Sequence, residues 1–87
     1  MSFRLLSYIV AATKTGSFGE AAKACNVTQP TLSERVCNLE RYLGVQLFRR
    51  TGRGVVPTPE GEIIARLAEQ ALEIERQIKA VGLPVKT

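Results

Sequence analysis

Apolar residues recur along this chain with two different periods, and the changes of period mark its elements. Phe3, Leu6, Val10 and Thr13, with Leu5 and Ile9 beside them, fall at spacings of three and four. That pattern predicts an amphipathic helix of about three turns. Gly16 ends it. Ser17-Phe18-Gly19-Glu20 reads as a capping box, in which the Ser hydroxyl and the Glu carboxylate each satisfy a free backbone donor. Ala21, Ala22, Ala24 and Cys25 continue as a short helix whose small side chains let another helix approach. Asn26-Val27 turns the chain, with Val27 placed to plug the core between helices.

Thr28 caps a third helix, and Pro30 sits in its first turn, where a missing N–H costs little. Leu32, Val36, Leu39 and Leu43 form one buried stripe. On a wheel of about 100° per residue, Pro30, Glu34, Cys37 and Arg41 lie opposite that stripe. Thr31 and Asn38 flank them on one side and Ser33 on the other. Gly44 is the expected left-handed C-cap.

The period then changes. Residues 45–50 have strand character, residues 51–54 supply a turn, and Val55-Val56 forms the return strand. An isolated hairpin is marginal, so this one is expected to pack on the helices. Thr58-Pro59-Glu60 opens a long helix over residues 59–81, with an N-cap, a first-position proline and acids in the first turn. In it Ile64, Leu67, Ala71, Ile74 and Ile78 repeat three and four apart, the seam of a coiled coil. Gly82-Leu83-Pro84 stops it.

The predicted fold is mainly α: a winged helix-turn-helix of three helices plus a two-stranded wing, then a long dimerising linker helix. Residues 1–58 form the first unit, with the helix-turn-helix at about 18–37 and the wing at about 46–57. Residues 59–81 form the linker helix, and residues 82–87 a hinge or chain end.

Composition narrows the function. The 87 residues suffice for one small domain with ordinary apolar (45%) and charged (23%) content. The net charge of +4 is uneven: residues 1–58 carry eight Lys/Arg against three Glu, while residues 59–87 carry four against five. A basic front and a near-neutral tail suit a polyanion at one end only. No apolar run approaches the length of a membrane span. The N-terminus lacks a signal-peptide pattern; two cysteines give no disulfide framework, and a reducing cytoplasm is the expected location.

Cys25 and Cys37 have no companion cysteine or histidine for a metal site. With no His and no Asp in the chain, acid/base work would fall to Glu, Lys, Tyr or Cys alone. Neither an enzyme nor a cofactor is expected. Cys25 reads as a small buried hydrophobe. Cys37 reads as more exposed, where oxidation would add a polar group.

A helix-turn-helix puts the N-terminal residues of its second helix against base edges in the major groove. Here that start offers Thr28, Gln29, Thr31 and Ser33, hydroxyls and an amide able to bond bases or phosphates. The expected major-groove set is Thr28, Gln29, Pro30, Thr31, Ser33, Glu34 and Arg35. Glu34 either accepts from a cytosine amino group or pairs with a neighbouring Arg and reads nothing; the second reading is favoured. Arg49, Arg50 and Arg53 surround a Gly-flanked hairpin tip. Such a tip either slides an arginine into a narrow minor groove or is a solubilising loop.

In order and at these spacings, the residues resemble the DNA-binding domain of LysR-type bacterial transcription regulators. The likeness runs from about Phe3 to Arg66. It is carried by Gly16-Ser17-Phe18, Ala21-Ala22, Val27-Thr28-Gln29-Pro30-Thr31-Leu32-Ser33, Leu39-Glu40, Leu43-Gly44-Val45, Leu47-Phe48-Arg49-Arg50-Thr51 and Thr58-Pro59-Glu60-Gly61. Residues 25–33 also look like the peroxide-sensing branch of that family.

The resemblance implies sequence-specific binding of double-stranded DNA and regulation of transcription. It implies interrupted inverted repeats near promoters as targets, a homodimer paired through Ile64, Leu67, Ala71, Ile74 and Ile78, and tetramers of the full-length protein. It further implies a separate effector-binding domain absent from these residues, so the chain is expected to be part of a longer protein. Base-contacting roles fall on Gln29, Pro30, Thr31, Ser33 and Glu34, the minor-groove role on Arg53, and backbone contacts on Ser17, Thr28 and Arg50. Glu34 and Cys37 depart from the pattern, standing where many members have basic or amide side chains. A rival reading is a coiled-coil protein–protein module that binds no DNA.

Overall fold

The computed structural model describes residues 1–82. Its order is α1 Phe3–Thr15, α2 Phe18–Ala24, α3 Gln29–Leu43, β1 Phe48–Thr51, β2 Gly54–Pro57 and α4 Pro59–Gly82. The helix ends follow local chemistry. Gly16 and Gly44 take the left-handed conformation at φ 69° and 73°, and each returns its N–H to a carbonyl of the last turn. Asn26, also left-handed at φ 58°, turns the chain between α2 and α3.

Ser17 accepts from the Glu20 amide at 3.1 Å, so half of the expected capping box is present. The other half is not. The Ser17 amide donates to the Thr15 hydroxyl, and the Glu20 carboxylate turns outward to Lys23 at 3.4 Å. A nearer hydroxyl has displaced the carboxylate.

The core joins Tyr8, Ile9 and Ala12 of α1, Phe18, Ala21 and Ala22 of α2, Leu32, Val36 and Leu39 of α3, and Leu47, Phe48 and Val55 around the wing. This corrects the stripe read for α1. Phe3 is exposed, and Leu6, Val10 and Thr13 are only half-buried, whereas Tyr8, Ile9 and Ala12 are inside. The cause is that α1 packs on two sides, against α2 and α3 on one and against α4 on the other. Leu43 also departs from its stripe: at 39% exposure it projects past the core end of α3. Val27 packs against the core as expected.

The first strand starts later than the sequence pattern suggests, at Phe48 rather than residue 45, and the return strand is longer, Gly54–Pro57 rather than Val55-Val56 alone. Pairing is antiparallel, from Phe48 with Pro57 to Thr51 with Gly54, across a two-residue Gly52-Arg53 turn. Residues 45–47 stay out of the sheet, although Leu47 is fully buried.

Two close backbone approaches dock this hairpin. The Val55 amide donates to the Gly16 carbonyl at 3.0 Å. A Cβ on Gly54 would overlap that same carbonyl oxygen. Likewise a Cβ on Gly61 would overlap the Leu47 carbonyl oxygen and lie 2.9 Å from its carbon. Thr58 completes this joint: its hydroxyl donates to Gln46 O at 2.6 Å and accepts from the Gly61 amide at 2.9 Å.

Gly61, Ala65 and Ala68 form the buried stripe of α4, laid against the domain itself. The apolar seam of α4 is a different face. Ile64 and Ala71 are half-buried, while Leu67, Ile74 and Ile78 are more than half exposed. Among the described residues no helix is long and apolar enough to cross a membrane. The hinge expected at residues 82–87 starts at Gly82, the last residue of α4, and residues 83–87 lie outside the described residues.

Candidate nucleic-acid interface

The start of α2 touches two other pieces of the chain: the start of α3, through Gln29, and the wing, through Phe48 and Arg50. The two helix starts are in contact. A Cβ on Gly19 would lie 3.4 Å from Gln29 Oε1 and 3.6 Å from Ser17 Oγ, so the Gln29 side chain reaches back over the first turn of α2. Thr28 caps α3 by accepting from the Thr31 amide at 3.3 Å, and its hydroxyl donates to the Thr31 hydroxyl at 2.9 Å. That arrangement leaves the Thr31 proton free for an acceptor outside the protein.

The expected major-groove residues divide by position. Thr28, Gln29, Pro30 and Glu34 are exposed, and Thr31 and Ser33 are half-buried at the edges of the same face. Arg35 is exposed but sits on the flank turned toward α1, beside Met1, Leu5, Asn38 and Tyr42. Cys37 is exposed, as expected, over a cleft of about 170 Å³ between α3 and the wing. Cys25 is half-buried rather than inside the core, and its burial raises its thiol pKa.

Glu34 has no Arg partner. The ion pairs of the described residues are Lys14–Glu69, Lys23–Glu20, Arg76–Glu73 and Lys79–Glu75, and Glu34 appears in none. The reading in which a neighbouring Arg neutralises it is therefore corrected. The helix explains why: one turn away on either side stand Pro30, Thr31, Cys37 and Asn38, none of them basic.

In the wing, strand alternation separates the arginines. Phe48 and Arg50 face inward onto Phe18: the two rings meet edge to face at 5.5 Å and 83°, and the Arg50 guanidinium lies 5.3 Å over the Phe18 ring. Such a cation–π contact holds Arg50 in place by about 0.5–1 kcal/mol. Arg49 projects outward opposite Val56, and Arg53 occupies the exposed turn. None of Arg49, Arg50 and Arg53 has a carboxylate partner among the described residues. Their charge is free for an external anion.

One residue that positions this surface had no role in the sequence reading. Glu40 Oε2 accepts from the Leu47 amide at 2.7 Å and the Phe48 amide at 3.3 Å. It ties the last turns of α3 to the start of the first wing strand. The available signal was a charge set close beside the buried stripe of α3, a few residues before an unpaired turn.

The interface for a second copy has a clear candidate. The exposed seam of α4 runs into an apolar groove of about 300 Å³ lined by Met1, Leu6, Leu43, Ile64, Leu67 and Ala71. Leu6 and Leu43, off the core stripes of their own helices, face this groove.

Comparison with known proteins bears on this surface directly. A model of the family described as "Bacterial regulatory helix-turn-helix protein, lysR family" matches residues 3–62. The chain is 42% identical over 76 residues to the HTH-type transcriptional regulator TfdS of Cupriavidus pinatubonensis, covering 87% of this chain and 26% of that protein. It is 42% identical over 79 residues to a hydrogen peroxide-inducible genes activator of Haemophilus influenzae, covering 91% of this chain and 25% of that protein. The chain thus spans about a quarter of the length of these curated relatives. Among solved structures, the BenM_DBD/benA site 1 DNA complex superposes with a TM-score of 0.90 at 36% identity, covering 100% of this chain and 98% of that one.

Proposed function

The chain belongs to the lysR family of bacterial regulatory helix-turn-helix proteins, and from that premise we propose that it binds double-stranded DNA sequence-specifically, as a homodimer, and thereby regulates transcription. The observation that carries this reading is an α3 start rich in hydroxyls and an amide, and a wing whose arginines have no carboxylate partner among the described residues, both packed on the start of α2. Thr28, Gln29, Pro30, Thr31 and Ser33 meet base edges and phosphates in the major groove. Arg53 enters the minor groove, with Arg49, Arg50 and Ser17 on the flanking backbone. The α4 seam of Ile64, Leu67, Ala71, Ile74 and Ile78 pairs two copies, so two reading helices address an inverted repeat.

Selection from a random DNA pool, followed by titration at several salt concentrations, tests this. The expected result is an interrupted inverted repeat. If the three wing arginines of both protomers each displace a counterion, log K falls against log salt with a slope of about −5. A protein that selects no sequence and shows no salt-dependent binding at micromolar concentration is instead a protein–protein module.

A further inference from the structure

Glu34 stands at the middle of the exposed face of α3, opposite the buried Leu32, Val36 and Leu39. It makes no ion pair among the described residues. On its own helix, Arg41 is hydrogen-bonded to Asn38 and Arg35 lies on the flank toward α1. A bare carboxylate at the centre of a DNA-facing surface is repelled by phosphate, and by every acceptor on a base edge.

The major groove offers two groups that attract it, the amino donors of cytosine N4 and adenine N6. Adenine sets its N7 acceptor beside the amino group, and N7 repels an oxygen anion. Guanine presents only acceptors there, and thymine an acceptor and a methyl group. Cytosine alone presents a donor without an acceptor of its own.

Building on the DNA-binding reading above, we propose that Glu34 is a specificity-determining residue that accepts a hydrogen bond from cytosine N4, making one C·G pair obligatory in each half-site. The same carboxylate weakens binding to DNA that lacks this donor. Glu34 therefore acts as a filter: it reduces general affinity and raises selectivity.

The test takes the operator selected above and measures all four base pairs at every half-site position, with the parent, Glu34→Ala and Glu34→Gln proteins. For the parent, one position is expected to favour cytosine by about tenfold, within the usual discrimination of a good base contact. Glu34→Ala levels that position to within about twofold and leaves the others unchanged, while binding non-operator DNA several-fold more tightly. Glu34→Gln moves the preference toward adenine, whose N6 and N7 an amide meets together.

Replacing the cytosine by 2-pyrimidinone, which lacks only the amino group, weakens the parent about tenfold and leaves Glu34→Ala unaffected. An operator bound specifically by all three proteins with the same base profile overturns the role of Glu34 while leaving DNA binding intact. A required adenine at the Glu34 position overturns the cytosine assignment. Absence of any specific binding by the parent overturns this inference together with the reading it rests on.

Discussion

Replacing Glu40 by alanine removes one oxygen on which two backbone donors depend. The Leu47 and Phe48 amides both point to Glu40 Oε2, at 2.7 and 3.3 Å, in a half-buried corner where α3 ends and β1 begins. The side chains of Leu47 and Phe48 are buried, so the segment cannot swing out to find water without opening the core. Leaving a buried donor without a partner costs about 1–3 kcal/mol. The second bond is long and the corner only half-buried, so the two together should cost about 2–4 kcal/mol.

In a domain of this size each kcal/mol moves the melting midpoint by about 4–8 °C, giving a fall of roughly 8–30 °C. Glu40→Gln keeps an oxygen in place and loses only the charge, so about 1 kcal/mol is expected. Urea unfolding followed by circular dichroism, repeated over a range of protein concentrations, measures both values apart from any dimer contribution. The reasoning is refuted if Glu40→Ala unfolds within 0.5 kcal/mol of the parent, or if glutamine is as damaging as alanine. Because the same contact ties the wing to α3, the proposed DNA reading expects Glu40→Ala also to lose DNA affinity at temperatures where it remains folded.

Gly61→Ala forces a methyl group into the Leu47 carbonyl and should cost about 3 kcal/mol. Gly44→Ala, left-handed but with open space around it, should cost only about 1 kcal/mol; equal losses in the two melts would contradict the close approach of α4 to the wing. Arg53→Ala should weaken operator binding and reduce the magnitude of the salt slope by about one per arginine removed, and an unchanged slope excludes it from the DNA contact. Ile74→Lys places a charge in the exposed seam and should convert a sedimenting dimer to monomer without lowering helicity; a persistent dimer would move the interface elsewhere. With a thiol reagent under native conditions, Cys37 should be modified well before Cys25, because Cys37 is exposed and burial holds the Cys25 thiol above its ordinary pKa. Mass spectrometry of the first adduct decides between them.

Much of this arrangement is legible in the sequence. Caps are local: a Ser or Thr hydroxyl three residues before an amide, or a glycine where the chain must turn left-handed, acts within one turn of backbone. Ser17, Thr28, Gly16 and Gly44 therefore behaved as their neighbours in sequence dictate. The α3 stripe of Leu32, Val36 and Leu39 was equally readable, because a helix packing on one side obeys a single period. The wing was visible as a hairpin, and its arginines as its chemistry.

What sequence periodicity could not assign was which of two apolar faces goes where. Helix α1 carries a face for α2 and α3 and another for α4, so its strongest pattern did not mark its deepest residues. Helix α4 buries Gly61, Ala65 and Ala68 against its own domain and leaves the larger Leu67, Ile74 and Ile78 outside. At Gly61 the reason is direct: the Leu47 carbonyl approaches too closely for any side chain. The same holds for charge. Sequence placed Glu34 and Glu40 on one helix, two acids of one type, but tertiary structure made one a structural acceptor for two amides and left the other without a partner. The difference lies in the chain segment that returns alongside each residue. That segment is set by long-range packing, which no local spacing encodes.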